Sequence, residues 1–229
     1  MVIFSGFRTE YISNVIVGVI VKEYKSRSNS INDSILSKKI KRYMKLKKIL
    51  DIIFSLIVLL PIIVIILCSS VLIIIGSKGP VFYRSTRLGK DMKPFIPYKL
   101  RTMYYKPGDL DYHATEEEDP RITKIGRKLR KYRIDELPQV INVLKGEMSF
   151  IGPRPFVDYE YNNNIEGFEN RTLVRPGLSG LAQVRGGNDL SLQEKFDYDM
   201  KYITNMSLRQ DISIFIETIR VVFTGDGAR

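Results

Sequence analysis

The chain has 229 residues and a formal net charge of +11, and its first 50 residues carry 11 Lys or Arg against 3 Asp or Glu. The remainder is nearly balanced, so the length suits one domain with an appendage, and the local basic excess points to an anionic surface, lipid or nucleic acid. A single cysteine and a single histidine exclude a disulfide framework and a zinc site built on Cys and His.

Residues 1–37 read as a weakly organised N-terminal extension. Within it the apolar stretch 11–21 is too short to cross a bilayer and lacks a small-residue cleavage site, and 26–34 has linker composition. From residue 38 cations interleave with Ile40, Tyr43, Met44 and Leu46, the pattern of a basic amphipathic helix against anionic headgroups. Residues 49–75 are apolar apart from Asp51 and a few serines, and as a straight helix they would be roughly 40 Å long. Pro61 sits in the middle, where it removes a helical hydrogen bond and favours a bend. Lys45, Lys47 and Lys48 precede the segment, and Lys78, Arg84, Arg87 and Lys90 follow it. Lys and Arg favour the cytoplasmic side. Two topologies therefore stand: a spanning helix kinked at Pro61, and a re-entrant one that turns at Leu60-Pro61 and returns.

After Gly76 the composition becomes that of a soluble domain. Residues 79–85 read as a strand after a turn, and Arg87-Leu88-Gly89-Lys90-Asp91 as a turn. Residues 95–103 alternate apolar and cationic, with Pro97 marking an edge strand and Lys99 and Arg101 on one face of the pleat. His113 and the acidic run 116–119 fall in polar loops. Thr123 reads as the N-cap of a helix to about Tyr132, with Ile125, Leu129 and Tyr132 on one face and cations elsewhere.

Arg133-Ile134-Asp135-Glu136-Leu137-Pro138 follows. Asp135 is expected to cap a helix over 136–144, with Pro138 in its first turn and Gly146 as its stop. Lys124, Arg127, Lys128, Arg130, Lys131 and Arg133 precede the acidic pair, and such positive charge favours ionised carboxylates. That suits a nucleophile or a metal ligand, and equally a surface salt-bridge cluster. Residues 148–151 read as a strand leading into Gly152-Pro153-Arg154-Pro155, where two prolines frame Arg154. Arg175-Pro176-Gly177-Leu178-Ser179-Gly180 is a second rigid basic turn, 181–184 a short strand and 191–205 a helix. Residues 211–223 form a last helix, whose stripe of Ile212, Phe215, Ile216, Ile219 and Phe223 suits either core packing or a membrane surface.

The sequence thus sets an acidic pair among Lys99, Arg101, Arg154, Arg175 and a cationic helix, on a chain tied to a membrane. Arginine forks bind phosphate, and adjacent carboxylates in such sites hold Mg²⁺ or attack phosphorus. The expected fold class is α+β, a mostly helical membrane-associated domain with short strands. It divides into the extension 1–37, the basic lead-in and membrane helix 38–76, and a domain over 77–229. The expected function is that of a membrane-bound enzyme acting on a phosphate or diphosphate. A membrane-tethered basic adaptor for nucleic acid or anionic lipid is the non-enzymatic alternative, and it leaves the acidic pair and the arginine turns without a role. A membrane phosphatase with Asp135 as nucleophile differs only in using water as acceptor.

Several segments match a known family. They are Gly79-Pro80-Val81-Phe82-Tyr83, Tyr98-Lys99-Leu100-Arg101-Thr102-Met103, Asp119-Pro120-Arg121-Ile122-Thr123, Arg133-Ile134-Asp135-Glu136-Leu137-Pro138-Gln139, Asn142-Val143-Leu144-Lys145-Gly146-Glu147-Met148-Ser149, Ile151-Gly152-Pro153-Arg154-Pro155, and the run from Val174 through Arg175-Pro176-Gly177 to Gln183-Val184. In this order, over about residues 41–227, the sequence resembles the bacterial sugar transferases, the monotopic polyprenyl-phosphate phosphoglycosyl transferases. The resemblance implies transfer of a sugar-1-phosphate from a UDP-sugar to polyprenyl (undecaprenyl) phosphate with release of UMP, an early membrane step of exopolysaccharide, lipopolysaccharide or glycan assembly. It implies Mg²⁺, Asp135 as nucleophile and metal ligand, and Glu136 as its partner in positioning or proton traffic. It implies phosphate or substrate contacts from Lys99, Arg101, Arg130, Arg154, Arg175 and Gln183. It implies a re-entrant, helix-break-helix anchor at Pro61 and C-terminal interfacial helices. The setting is the bacterial inner membrane, with the catalytic domain facing the cytoplasm. The implied partners are membrane lipid, downstream glycosyltransferases and a second copy in a homo-oligomer, and no nucleic acid. Two positions depart from the family pattern. Leu60 stands where a serine often precedes the membrane proline, and Arg185-Gly186-Gly187-Asn188 stands in place of Gly-Arg-Asn.

Overall fold

The computed structural model describes residues 35–106, 119–156 and 165–224. The expectations for residues 1–34, for His113 and for the acidic positions 116–118 lie outside the described residues. Helix α1, Lys38–Gly76, is followed by the two-residue strands β1 (Phe82–Tyr83), β2 (Arg87–Leu88), β3 (Pro94–Phe95) and β4 (Lys99–Leu100). Next come α2 (Lys124–Lys131), a 3₁₀ segment over Ile134–Gln139, α3 (Val140–Leu144) and β5 (Ser149–Ile151). A second 3₁₀ segment, Phe168–Leu173, leads to β6 (Gly177–Ser179), α4 (Leu181–Val184), α5 (Leu192–Thr204) and α6 (Leu208–Thr224). The result is the mostly helical α+β arrangement expected.

The strands pair in twos: β1 with β4 and β2 with β3, both antiparallel, and β5 with β6, parallel. The long strand expected over 95–103 is divided, because Ile96 and Pro97 separate β3 from β4 and proline offers no N–H to a ladder. The expected turn at Arg175–Gly180 contains strand β6. Glycine makes that pairing feasible: a Cβ on Gly152 would stand 2.6 Å from the Arg175 carbonyl oxygen, and one on Gly177 would collide with Gly152. The expected strand 181–184 is instead the one-turn helix α4, closed by the Val184 N–H donating to the Gly180 carbonyl. A four-residue apolar run carries no period long enough to separate the two forms, and burial of Leu181 and Ala182 decides it.

Helix caps follow the sequence closely. The Gly126 N–H donates to Thr123 Oγ1 at 2.8 Å at the start of α2, and Ser191 with Glu194 forms a reciprocal capping box at the start of α5. On α2, Ile125 and Leu129 pack inward as expected, whereas Tyr132 is exposed, because the helix ends at Lys131 and Tyr132 leaves its periodicity.

Helix α1 runs as one helical element through Pro61, where the sequence reading expects a break. Proline removes one N–H from the ladder, and the remaining bonds can carry the helix past it. Both ends of α1 pack on the same folded domain. Near its start, Leu36 and Ile40 enter a cluster with Leu173, Tyr202, Ile203 and Ile214. Near its end, Ile73 packs with Leu100 and Leu129. Between these contacts Leu56, Ile57, Leu60, Val64 and Leu67 are exposed, so the helix presents an uncovered apolar surface of membrane grade. The stripe on α6 extends that surface. Ile212, Phe215, Ile216, Ile219 and Phe223 are all exposed, which removes the core-packing reading, and Phe215 meets Phe54 of α1 at 5.9 Å between ring centroids.

The joint between α1 and the domain is polar and buried. Asp51 accepts from Ser149 Oγ at 2.8 Å and from Arg175 Nη2 at 2.8 Å, and Lys47 pairs with Asp211, which also accepts from Tyr43 and Tyr202. Removing one partner of a buried pair leaves the other uncompensated. Asp51→Ala is therefore expected to destabilise the fold by about 3 kcal/mol or more, seen as a lower melting temperature in detergent. Combining Asp51→Ala with Arg175→Met should recover part of that loss.

Candidate active site

The acidic pair is placed by a backbone reversal. Helix α2 ends, and Arg133 adopts the left-handed conformation, with φ 52° and ψ 24°. The chain then enters the 3₁₀ segment Ile134–Gln139, so Asp135 lies inside its first turn rather than capping one long helix over 136–144. The six residues from Ile134 form a tighter helix, and Val140 starts α3 afresh. Gly146, at φ 78°, ends α3 as expected.

Asp135 and Glu136 are both buried, at 2% and 8% exposure. Their charge is met from three directions. Lys99 of β4 places Nζ 3.0 Å from Asp135 Oδ2 and 3.4 Å from Glu136 Oε1. Arg154 donates from Nη2 to Glu136 Oε1 at 3.3 Å, and Arg133 Nη1 lies 3.7 Å from Glu136 Oε2. Burial by itself would push the Glu136 carboxyl up, but Arg154, Lys99 and Arg133 together outweigh it and hold the group well below the usual carboxylate range. Glu136 is thus an ionised acceptor, which favours positioning over proton donation.

An open pocket lies against this cluster. Lys99, Glu136 and Arg154 line it with Tyr83, Ser85, Arg87, Gln139 and Leu178. Asp135 lies beside Glu136 and is not part of the lining.

The other expected phosphate contacts are not brought to this pocket. Strand β4 ends at Leu100, so Arg101 does not share the pleat face of Lys99. Its guanidinium turns to the C-terminal end of α1, donating to the carbonyls of Pro80 at 2.6 Å, Ser77 at 2.9 Å and Lys78 at 3.0 Å. Arg175 is committed to Asp51 and to the Met148 carbonyl, the latter at 2.9 Å. Arg130 donates from Nε to Thr102 Oγ1 at 2.9 Å. Gln183 donates to the Leu178 carbonyl at 3.3 Å and so braces the pocket wall from behind. Arg185 pairs with Glu217 at 3.1 Å. Pro61 lies within the uncovered part of α1.

Asn142 of α3 is a positioning residue absent from the sequence reading of the site. Fully buried, it accepts from the Tyr98 N–H at 2.9 Å and donates to the Ile96 carbonyl at 2.9 Å, fixing the segment that delivers Lys99. An amide inside an otherwise apolar helical run was the signal that could have found it.

A family model described as bacterial sugar transferase matches residues 42–225. The chain belongs to the bacterial sugar transferase family. It is 40% identical over 194 residues to a UDP-N-acetylgalactosamine-undecaprenyl-phosphate N-acetylgalactosaminephosphotransferase of Aeromonas hydrophila, over 82% of this chain and 46% of that one. It is 37% identical over 190 residues to a UDP-glucose:undecaprenyl-phosphate glucose-1-phosphate transferase of Caulobacter vibrioides, over 80% of this chain and 71% of that one. An uncharacterized sugar transferase of Bacillus subtilis is 38% identical over 184 residues, covering 80% of this chain and 90% of its own. The chain spans less than half the length of several curated relatives that it matches.

In this sugar transferase chain the depressed Glu136 pKa has a consequence for stability. The folded value lies below the ordinary 4.5. The stabilisation from its ion pairs is therefore fully present above the unfolded value and is lost as pH falls toward the folded one. The melting temperature of the wild type is expected to drop more steeply than that of Glu136→Gln as pH is lowered through the ordinary carboxylate range. Parallel curves would show that the three cations do not hold Glu136.

Proposed function

We propose that this chain is a membrane-bound phosphoglycosyl transferase that moves a sugar-1-phosphate from a UDP-sugar to polyprenyl phosphate and releases UMP. The observation that carries the reading is the buried Asp135–Glu136 pair, compensated by Lys99 and Arg154 at an open pocket, on a domain joined to an apolar helix. The relatives named as undecaprenyl-phosphate sugar phosphotransferases support the donor and acceptor classes. The site lies on the cytoplasmic side of the bacterial inner membrane, where the soluble donor and the lipid acceptor meet. The lipid-linked product then passes to glycosyltransferases that extend it.

The donor diphosphate enters among Lys99, Arg154 and Arg87. Its oxygens compete for Lys99 and release Asp135 for attack. The Asp135 carboxylate attacks the sugar-linked phosphorus, the bond from that phosphorus to the bridging oxygen breaks, and UMP leaves. An oxygen of the polyprenyl phosphate then attacks the same phosphorus and restores the carboxylate. Two steps on one carboxylate let a single pocket serve a soluble and a membrane substrate in turn. Glu136, kept ionised, holds Lys99 and Arg154 at the height of the phosphates.

Among the described residues no third carboxylate, His or Cys joins the pair. That donor set fits Mg²⁺, which is commonly bound by one or two carboxylates together with substrate phosphates and water. Asp135 would hold the ion with donor phosphate oxygens, and its chemistry there is to offset the negative charge on the diphosphate.

Asp135→Asn is expected to abolish transfer while leaving the fold and membrane attachment intact. Wild type incubated with UDP-sugar and Mg²⁺ without lipid acceptor should release at most one equivalent of UMP. Its intact mass should rise by one phospho-sugar on the peptide containing Asp135. An adduct on Glu136 instead, or full transfer by Asp135→Asn, would overturn the nucleophile assignment.

The same reading places both ends of α1 in the cytoplasm. The support is that both ends pack on one folded domain, which cannot lie on two sides of a bilayer. Single cysteines at Lys45 and Lys78 should both resist an impermeant thiol reagent in intact cells. Labelling of only one would establish a spanning helix.

A further inference from the structure

The Gly152-Pro153-Arg154-Pro155 segment brings Arg154 to Glu136, and before the arginine it is anchored by the Gly177 N–H donating to the Pro153 carbonyl at 2.8 Å. Pro155 has no N–H, so the Arg154 carbonyl is the handle left on that peptide. That carbonyl accepts from Arg171 Nη2 at 3.2 Å. Arg171 comes from the 3₁₀ segment Phe168–Leu173 and does not line the pocket. It is itself held on several sides. Its Nε donates to Asp199 Oδ2 of α5 at 2.7 Å, and its guanidinium lies 4.8 Å from the ring centroid of Phe168 and 5.3 Å from that of Phe156. Phe156 accepts through its carbonyl from the Leu88 N–H at 3.0 Å, which fixes the next point along the same chain.

Asp199 and Arg171 are a poor device for stability alone. Both side chains are almost wholly buried, at 1% and 6% exposure, and Asp199 Oδ1 has no hydrogen-bond partner among the described residues. Burial of such a pair costs more than it returns unless every polar atom is satisfied. Burial accordingly pushes the Asp199 carboxyl up to about 6 in spite of the arginine beside it. What the pair does supply is a rigid donor at one defined point behind the pocket.

We propose that Arg171, clamped by Asp199, is a positioning residue that sets Arg154 against Glu136 through the Arg154 backbone carbonyl. The proposal rests on the phosphoglycosyl transfer reading only for its kinetic consequence. The positional claim stands on the geometry alone.

Two measurements on the full chain in detergent or nanodiscs test it. The first needs no turnover. Phenylglyoxal modification of Arg154 is followed by peptide mass mapping, with Arg185 as internal control. The two side chains are matched, at 51% and 49% exposure, and each has a carboxylate neighbour. Arg171→Lys keeps a positive charge for Asp199 but loses the forked donor. It should change the Arg154 modification rate several-fold while leaving Arg185 unchanged. An unchanged Arg154 rate, or equal changes at both arginines, overturns the proposal.

The second is a double-mutant cycle on donor kcat/KM with Arg154→Ala. Arg171→Lys should lower kcat/KM roughly tenfold in the wild-type background and have almost no further effect once Arg154 is gone. An equal drop in both backgrounds would mean a merely structural role and overturn the proposal. Should Arg171→Lys fold poorly, Asp199→Asn gives the same two readouts with the arginine intact. If wild type transfers nothing while the modification result holds, the transferase reading fails and the positioning claim does not.

Discussion

Two neighbouring carboxylates cannot be buried side by side unless cations accompany them, and much of this structure is organised to bring those cations in. The cost of stripping water from a charge is several kcal/mol per ion. Here Lys99 bridges Asp135 and Glu136, while Arg154 and Arg133 engage Glu136. Each comes from a different local structure: an edge strand, a proline-framed turn and a left-handed hinge. The supports behind them are equally specific. Asn142 fixes the backbone before Lys99, and the parallel β5–β6 pair, with glycines at its closest approach, fixes the segment that carries Arg154. On the transfer reaction proposed above, an incoming donor phosphate would exchange for a carboxylate at the same cations.

The same problem is solved differently at the membrane joint. Asp51 and Lys47 stand on a helix that is otherwise fit for lipid, and both face the domain, where Arg175, Ser149 and Asp211 receive them. Within the apolar stretch 49–75 the one charged residue, Asp51, is thereby kept on a protein-covered face, whereas Lys38, Lys39, Arg42, Lys45 and Lys48 of the basic lead-in are exposed. Arg101 completes the arrangement at the other end by donating to the carbonyls of Ser77 and Lys78, just past the end of the helix. The apolar middle of α1 and the stripe on α6 remain as one uncovered surface, joined through Phe54 and Phe215. Arginines that resemble phosphate ligands in sequence are thus also the residues that bind the domain to its anchor.

Local features were legible where the cause is local. The cap at Thr123, the stop at Gly146, the apolar span and the two C-terminal helices all follow from contiguous residues. Readings failed where a short run has no period to betray it, as at 181–184, or where a distant contact overrides it, as with the strand inside Arg175–Gly180. The stripe on α6 was undecided because burial is not encoded in periodicity. The same spacing serves a core and a membrane surface, and only its neighbours distinguish them.

By itself the sequence determined the family, the apolar segment and the adjacency of Asp135 and Glu136, because each is written in consecutive residues. It also supplied a misleading abundance of nearby cations. Lys124, Arg127, Lys128 and Lys131 precede the acidic pair in the chain, yet helix α2 turns them to the outside. Tertiary structure alone decided which charges reach the carboxylates. Long, flexible cationic side chains can serve any partner within reach, and reach is set by how β4, the Arg154 turn and the α1 joint pack, not by distance along the chain.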